Sequence, residues 1–291
     1  MPELPEVETI ARKLAIEIQG RTITDVDVLW QRTVDRPGVV AFKDALTNTS
    51  VDRVWRRGKF LVMDLSTARS LLVHLRMSGR FSIQPAGSGR PLWAGRHAGT
   101  DQWVHKHARL KLRLDNEDWL VYVDPRKFGR FYLVDNPQEL IGELGPEPLD
   151  PTFTAQTLHT KLAGRRGEVK RLLLNQHFIA GLGNIYVSEA LWQAGIHPRR
   201  SANSLSEDEA HRLHHAIQDV LAQGIRNGGT SLEDRQYSYP NGGTGNHQHH
   251  LNVYDRAGET CPRCGYMLER IVQGQRSTYL CPVCQPDPDR S

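Results

Sequence analysis

All four cysteines of this 291-residue chain lie in its last 31 residues. They form two Cys-x-x-Cys pairs, Cys261 with Cys264 and Cys281 with Cys284, and 16 residues separate the pairs. Four thiolates at this spacing bind one zinc ion tetrahedrally and leave no open position for a substrate. Two disulfides are the alternative, but no secretion signal precedes them to imply an oxidising compartment. The pattern predicts a C-terminal ribbon whose structural Zn²⁺ replaces a hydrophobic core.

The remaining composition is typical of a globular protein of two or three domains. Hydrophobic residues make up 38% of the chain and charged residues 24%. No apolar run approaches the roughly 20 residues that span a bilayer, so we expect no membrane partner and a cytoplasmic location. The net charge of +4 is too small to indicate nucleic acid by itself, and local basic clusters must carry that argument. Such clusters lie at residues 53–59, 106–113 and 126–130.

The first half of the chain changes from a helical to a β pattern. Apolar residues recur at helical spacing over residues 5–19, and Gly20 ends the predicted helix. Short alternating runs then predict seven strands packed as a β-sandwich. The predicted strands are Thr22–Trp30, Val51–Trp55, Phe60–Leu65, Ser70–His74, Ala108–Leu114, Trp119–Val123 and Phe131–Val134. Residues 84–102 are rich in glycine and predict a mobile loop.

The second half is predicted to be helical. Residues 136–150 are rich in proline and glycine and predict a linker. Helices are expected over Phe153–Ala163, Val169–Leu174 and Asn184–Ala194, with Asn184 as a capping residue of the last. A capping box at Ser206–Glu209 predicts a longer helix that reaches Arg226. The fold class is therefore α+β, with several domains.

The chain begins Met1-Pro2-Glu3-Leu4-Pro5-Glu6-Val7-Glu8. If Met1 is removed, Pro2 becomes a secondary amine that can attack an electrophilic carbon and form an iminium. The carboxyl group of Glu3 stands beside it to move protons. The alternative is that Pro2 and Pro5 only stiffen the entry into a helix.

Three segments resemble the formamidopyrimidine-DNA glycosylases, a family of helix–two-turn–helix enzymes of base-excision repair. They are the start MPELPEVE, the segment Asn175–Glu189, and the cysteine pairs with Gln275–Thr278 between them. They occur in the family's order, and the resemblance runs from residue 1 to about residue 285. It implies a catalytic β-sandwich domain with a leading helix at 1–135, a linker at 136–150, a helix–two-turn–helix DNA-binding domain at 151–235, and a lesion loop with a four-cysteine zinc-finger hairpin at 236–291.

The resemblance also implies four catalytic residues. Pro2 is the nucleophile that displaces the damaged base and forms a Schiff base, and Glu3 is the acid that assists opening of the sugar ring. Lys59 contacts the lesion and serves β-elimination, and Arg276 serves δ-elimination. Without the resemblance, Lys59 would be interpreted as a surface lysine beside a strand, and Arg276 as an exposed arginine in a turn.

The implied chemistry requires the target nucleotide to leave the base stack. Met77, Arg126 and Phe128 match the residues with which the family fills the resulting gap. Met77 and Phe128 could instead be core residues, but the glycines that follow favour exposed turns. His107, Arg165 and Asn184 match positions that contact DNA, where side chains and a helix N-terminus hold phosphates.

The predicted protein is a monomeric glycosylase and abasic-site lyase that removes 8-oxoguanine and formamidopyrimidines from double-stranded DNA in the bacterial cytoplasm, at the nucleoid. One segment departs from the family: Gly245-Asn246-His247 replaces a Gly-Tyr-Phe type sequence, which leaves the base preference open. We interpret His247 as a surface residue. One alternative is an oxidised-pyrimidine (endonuclease VIII-like) glycosylase, against which Leu4 argues. A catalytically silent zinc-finger DNA-binding protein is the other, and it has no need for Pro2, Glu3, Lys59 and Arg276 together.

Overall fold

The computed structural model describes residues 1–86, 107–231 and 237–287. These residues form two compact units, the first of residues 1–142 and 227–248, the second of 143–226 and 249–291. Residues 87–102 of the predicted loop lie outside the described residues. Lys106, the first residue of the second basic cluster, lies outside them as well. The mixture of a sheet-rich unit with a helical unit confirms the predicted α+β class.

The first helix, α1, spans Leu4–Ile18 and confirms the prediction for residues 5–19. Glu3 is its N-cap, and the Glu6 carboxylate accepts a hydrogen bond from the Glu3 N–H at 2.8 Å, which completes a capping box. Its buried face carries Val7 and Leu14 into the core of the first unit. The spacing of apolar residues therefore sets which side of α1 packs against the strands.

Strands and short helices follow α1 in the first unit. They are β1 (Thr22–Val28), β2 (Val34–Arg36), α2 (Val39–Leu46), β3 (Thr49–Arg57), β4 (Phe60–Leu65), β5 (Ser70–His74), β6 (Arg80–Gln84), β7 (Ala108–Leu114), β8 (Trp119–Val123), β9 (Arg130–Val134) and α3 (Gln138–Ile141). The strand order is β2-β9-β5-β4-β3-β1-β7-β8-β6. All seven predicted strands are present, and β4, β5, β7 and β8 have the predicted bounds.

The sheet folds over on itself at the junction of β1 and β3. These strands share only two residue pairs, Thr22 with Ser50 and Ile23 with Thr49. The ring of Phe131 on β9 lies 6.1 Å from that of Phe81 on β6 and 4.8 Å from that of Tyr122 on β8. Because β9 and β6 lie near opposite ends of the strand order, the two halves must face each other around one core. This arrangement confirms the predicted β-sandwich.

Four short elements were not predicted. β2 has three residues and pairs in parallel with β9, and α2 buries only Phe42 and Leu46, so neither has a readable period. β6 ends at the start of the glycine-rich segment that predicted a loop. α3 lies within the segment interpreted as a linker. A periodic pattern needs about 4–8 residues in a strand and about 10–12 in a helix, which β2, α2 and α3 do not reach. β6 has five residues and is long enough, but its pattern was missed beside the glycine-rich segment.

The second unit contains α4 (Ala155–Ala163), α5 (Val169–Leu173), α6 (Asn184–Ala194) and α7 (Glu207–Arg226). The prediction that the first of these begins at Phe153 was wrong, because Thr154 caps α4 by accepting the Thr157 N–H at 3.1 Å. The prediction that Asn184 caps α6 was also wrong. Gly183 occupies the capping position, and the Asn184 side chain bonds elsewhere. None of the helices in the described ranges is long and apolar enough to cross a membrane.

A β-hairpin of β10 (Glu269–Gln273) and β11 (Arg276–Leu280) lies between the cysteine pairs. Gly274 and Gln275 join its strands, both with positive φ, as a type I′ turn requires. The capping box predicted ahead of α7 is confirmed, since the Ser206 N–H donates to Glu209 at 2.9 Å and the Glu209 N–H donates to the Ser206 hydroxyl at 3.2 Å.

Replacing Gly224 on α7 with alanine should destabilise the protein. A mid-helix Gly→Ala change ordinarily stabilises by about 1 kcal/mol. Here a Cβ would lie 2.6 Å from the ring of Tyr186, which is fully buried on α6. We expect Gly224→Ala to lower the free energy of unfolding by about 1–3 kcal/mol, as overpacking does. Gly164→Ala is the control, because its Cβ meets no atom within 4 Å. Equal unfolding midpoints for both variants would contradict the close packing of α6 on α7.

Candidate active site and DNA-contacting turns

The start of the chain is held by the buried carboxylate of Glu6. One oxygen accepts the Glu3 N–H and the other accepts the Thr230 N–H, each at 2.8 Å. Glu6 is 2% exposed and Glu3 is 3% exposed, while Met1 is 42% exposed and Pro2 is buried. The nitrogen of Pro2 is therefore placed by two backbone hydrogen bonds that act through one side chain.

Lys59 lies in the turn between β3 and β4, after Gly58 with φ +56°. It is only 6% exposed, so the interpretation as a surface lysine was wrong. Arg56, at the end of β3, donates to Glu8 of α1 at 2.7 Å. Burial by itself would raise the pKa of Glu8, but Arg56 and Arg12 outweigh it and lower that pKa. This ion pair ties the helix that carries the chain start to the hairpin that carries Lys59.

His74 at the end of β5 lies near the same hairpin. Burial, together with the charges of Arg76 and Lys59, lowers the pKa of His74 to about 3. Its Nδ1 accepts the Arg76 N–H at 3.0 Å, and its ring meets that of Phe60 edge-on at 4.9 Å. His74 is therefore a neutral imidazole at physiological pH and adds no positive charge beside Lys59.

Two exposed turns carry the residues predicted to fill the gap in DNA. The Met77 turn (residues 75–79) joins β5 to β6, and the Phe128 turn (residues 124–129) joins β8 to β9. Met77 is 40% exposed and Phe128 is 47% exposed, so neither is a core residue. The Arg126 guanidinium lies 4.9 Å from the centre of the Phe128 ring. The structure thus places two apolar side chains and one cation on solvent-facing turns.

His107 precedes β7 and is partly buried. Its Nδ1 lies 3.3 Å from the guanidinium of Arg109, a residue that is 7% exposed and also donates to the Asp124 carbonyl at 2.8 Å. Because a guanidinium can only donate, Nδ1 must accept, and the proton of a neutral ring lies on Nε2. Arg109 thus fixes Nδ1 of His107 as the accepting nitrogen of the ring.

In the second unit, Asn184 and Arg276 are linked through the hairpin. The Asn184 side-chain amide donates to the Ser277 carbonyl at 2.9 Å, while its Oδ1 is buried with no hydrogen-bond partner in the part of the chain that the structure describes. Lys170 of α5 donates to the same carbonyl at 3.2 Å and to the Thr278 hydroxyl at 2.6 Å. Arg276, next along β11, is exposed. Asn184 therefore supports the strand that carries Arg276.

Lys170 was not predicted, although it is 1% exposed and makes these contacts. The available signal was weak, because Lys170 stands beside a second cation, Arg171, within the short predicted helix. Arg165 follows α4 and is exposed, and its carbonyl accepts the Asn203 N–H at 2.9 Å. Its guanidinium is therefore presented from a backbone segment that is anchored within the second unit.

The four cysteines form a cluster that fits one zinc ion. Their sulfur atoms lie within 4.8 Å of one another, with Cys264 and Cys281 at 3.4 Å and Cys261 and Cys284 at 3.9 Å. All four are free, so the disulfide alternative was wrong. Tetrahedral coordination with Zn–S bonds of about 2.3 Å requires sulfur atoms about 3.8 Å apart. Among the described residues, this is the only group of three or more metal-ligating side chains.

His247 was wrongly interpreted as a surface residue. It is 2% exposed, its N–H donates to the Gly229 carbonyl at 3.1 Å, and its Nδ1 lies 3.2 Å from the Asn227 amide nitrogen. The substituted loop therefore uses this histidine to pack within its own unit.

The fold and these sites define a DNA glycosylase of the helix–two-turn–helix class. Three family models match the chain: the formamidopyrimidine-DNA glycosylase N-terminal domain over residues 1–131, its H2TH domain over 144–236, and a zinc finger found in FPG and IleRS over 258–286. The chain belongs to the formamidopyrimidine-DNA glycosylase family, whose members act in base-excision repair.

Similar proteins span the whole chain. The formamidopyrimidine-DNA glycosylase of Chloroflexus aurantiacus is 44% identical, with 98% of each chain covered, and that of Protochlamydia amoebophila is 41% identical, with 98% of this chain and 99% of the relative covered. A Lactococcus lactis Fpg complexed with DNA containing an abasic site has a TM-score of 0.86 at 35% identity, covering 98% of this chain and 100% of that one. The MutM (FPG) protein of Thermus thermophilus gives 0.84 at 36% identity, covering 98% and 99%.

The buried His74 should make stability depend on pH in a defined direction. Its folded pKa of about 3 lies below the ordinary value of 6.5, so below pH 6.5 the unfolded chain binds a proton that the folded chain does not. The free energy of unfolding should therefore fall by about 1.4 kcal/mol per pH unit between pH 6.5 and 3 on account of this group. His74→Gln should flatten that decline in urea titrations from about pH 7 to about pH 4.

The matched control is His215→Gln at an exposed position of α7. It makes the same change of side chain without removing a buried ring, so the slope for His74→Gln is compared with the slope for this variant. An unchanged slope in His74→Gln would show that the histidine is protonated without cost in the folded state.

Proposed function

We propose that this protein excises oxidised purines from double-stranded DNA and then cleaves the abasic strand, with Pro2 as the nucleophile. The observation that carries the proposal is the burial of Pro2 and Glu3 at the start of α1, where Glu6 fixes the backbone by two hydrogen bonds. The bond from the Glu3 N–H is a capping box that any helix entry can have, whereas the bond from the Thr230 N–H ties the chain start to a distant segment, which a helix entry alone does not need. The proposal requires that Met1 be removed, because a tertiary amide nitrogen cannot attack carbon.

The proposed reaction begins at C1′ of the damaged nucleotide. The Pro2 nitrogen bonds to C1′ as the bond from C1′ to the base breaks, and the base leaves with a proton. Glu3 donates a proton to the ring oxygen, which opens the sugar and leaves an iminium between Pro2 and C1′. The iminium draws electrons from C2′, so that loss of a C2′ proton expels the 3′ phosphate. Lys59 serves this β-elimination, and Arg276 serves the second elimination at the 5′ phosphate.

DNA binding is proposed to use the exposed turns and cations of both units. Met77, Arg126 and Phe128 would fill the gap left by the extrahelical nucleotide. His107, Arg165 and Asn184 would contact the phosphates of the backbone. Support comes from the similar Lactococcus lactis chains, which were solved with abasic-site DNA and with Fapy-dG DNA.

A purine substrate is favoured over a pyrimidine substrate. The Fapy-dG in a complex of a mutant Lactococcus lactis FPG, whose chain matches this one with a TM-score of 0.87, is a damaged purine. Leu4, the residue that argued against a pyrimidine glycosylase, is the first residue of α1 and is fully buried.

We propose that the enzyme acts at the bacterial nucleoid, where its DNA substrate is found.

The proposed nucleophile can be trapped. Borohydride should reduce the iminium and leave a covalent complex between the protein and a duplex that carries 8-oxoguanine or an abasic site. Peptide mass spectrometry should find the adduct on an N-terminal Pro2. Pro2→Gly should weaken trapping at least about tenfold, because a glycine at this position gives a primary amine with a less constrained backbone.

Three results would contradict this assignment. They are an adduct at another residue, trapping by protein that retains Met1, and tight duplex binding with no adduct, which would indicate a silent DNA-binding protein. Duplexes with thymine glycol or 5-hydroxycytosine serve as the substrate control. Faster excision of these bases than of 8-oxoguanine would instead support the pyrimidine glycosylase.

We also propose that one structural Zn²⁺ is bound by Cys261, Cys264, Cys281 and Cys284. Cys281→Ser, or removal of the metal by a chelator, should release zinc and weaken duplex binding, since Arg276 lies on the hairpin between the cysteine pairs. Affinity should be measured by fluorescence anisotropy beside zinc content. Lys170→Met is compared with Cys281→Ser. It removes the hydrogen bonds from Lys170 to Ser277 and Thr278 of the hairpin while leaving all four sulfur atoms. Unchanged DNA affinity in zinc-free protein would exclude the structural role.

A further inference from the structure

The Met77 turn and the Phe128 turn meet at one buried carboxylate, that of Asp124. Its side chain is 1% exposed. Its Oδ1 accepts a hydrogen bond from the Ser78 hydroxyl and one from the Arg126 N–H at 3.2 Å, and its Oδ2 accepts the Gly129 N–H at 2.8 Å. Ser78 lies beside Met77, so a single side chain is bonded to both turns although 46 residues separate it from Ser78.

Tyr122 of β8 fills the space between the same two turns. Its hydroxyl lies 3.5 Å from Asp124 Oδ2. A Cβ at Gly79 or at Gly129 would overlap that hydroxyl, so glycine is required at the same place in each turn. Burial, with the Asp124 carboxylate, raises the pKa of Tyr122 well above its usual range, which keeps the hydroxyl a donor.

Each turn also holds a residue in the left-handed region. Arg76 has φ +56° and its N–H bonds to His74, while Lys127 has φ +62° and its ammonium group lies 3.9 Å from the centre of the Trp30 ring. Such conformations persist only where surrounding contacts over-determine them. The contacts therefore hold the turns in one arrangement before any DNA is present.

We propose that Asp124, through its bond to Ser78, is a positioning residue that makes the two turns one rigid wedge. The inference deepens the proposed function and rests on it. Insertion beside an extrahelical base needs Met77, Arg126 and Phe128 in place at the same time. Turns that moved independently would have to be ordered during insertion, which slows eviction of the base. An abasic nucleotide has no base to evict, so its reaction should depend less on this coupling.

Ser78→Ala is the sharpest test, because it removes both hydrogen bonds of the Ser78 hydroxyl to the other turn, the one donated to Asp124 and the one accepted from the Arg126 N–H at 3.3 Å. It leaves Asp124 bonded to the N–H groups of Arg126 and Gly129. Ser82→Ala is the matched control: Ser82 on β6 is equally buried at 1% exposure, and its hydroxyl has no partner within the described ranges. We expect Ser78→Ala to slow single-turnover excision of 8-oxoguanine about tenfold, since the larger of the two losses is a hydrogen bond to a charged group. Borohydride trapping on an abasic duplex should slow less than about twofold. Ser82→Ala should match the parent protein in both assays.

Asp124→Asn provides a second variant with nearly the same shape. An amide can keep the Oδ1 contacts but turns an NH₂ group toward the Gly129 N–H, so it should show the same selective loss of lesion excision. The fluorescence of 2-aminopurine beside the lesion measures insertion of the wedge without chemistry. Its rise should be slowed by the same factor as excision.

Equal slowing on lesion and abasic duplexes would overturn the proposal, because the bond would then support only the general fold. An effect of Ser78→Ala no larger than that of Ser82→Ala would overturn it as well. Failure of the proposed function is a separate result, namely that the unmodified protein forms no trapped complex. The 2-aminopurine measurement would still test the coupling in that case.

Discussion

The hydrogen bonds of Glu6 are the interaction on which the candidate active site depends. Its carboxylate has left water, and both oxygens are compensated by backbone N–H groups of Glu3 and Thr230. A buried carboxylate without such partners would cost several kcal/mol. The two bonds therefore hold the first residues of α1 against a segment that begins 224 residues further along the chain. A nucleophile at the chain end, where fraying is ordinary, needs a restraint of this kind.

Other buried charged side chains hold irregular segments of the chain by hydrogen bonds in the same way. Asp124 joins two turns, and Glu189 of α6 accepts the backbone N–H groups of residues 252–254 ahead of the first cysteine pair. Lys170 does the converse by donating to the hairpin of the second unit. Each is a buried charged residue bonded to backbone or hydroxyl groups, with no carboxylate–ammonium pair required. Hydrogen bonds of this type specify position more than they add stability.

The sequence could predict what depends on local pattern. Alternation predicted the strands, the cysteine spacing predicted a cluster that fits zinc, and glycines predicted exposed turns for Met77 and Phe128. It could not predict that Asn184 supports β11 instead of capping α6, or that His247 is buried. Those outcomes depend on partners that are distant in sequence. The sequence pattern does not distinguish an exposed polar residue from a buried one that bonds to such a partner. Burial of Lys59 was missed for the same reason, because only the packing of a whole turn makes a lysine inaccessible.

The candidate functional residues form two groups, one exposed to solvent and one buried. Met77, Arg126, Phe128, Arg165 and Arg276 are exposed and lie in or beside turns, whereas Pro2, Glu3 and Lys59 are buried. Residues that must meet a duplex gain from projecting out of a rigid scaffold, since the scaffold bears the ordering cost in advance. Pro2, Glu3 and Lys59, which are proposed to act at the sugar, gain from exclusion of water, which strengthens electrostatic interactions there, whereas Arg276 is proposed to act at a phosphate and is exposed. In the first unit the buried carboxylate of Asp124 bonds to both exposed turns, so the precision of those turns depends on a side chain held beneath the surface.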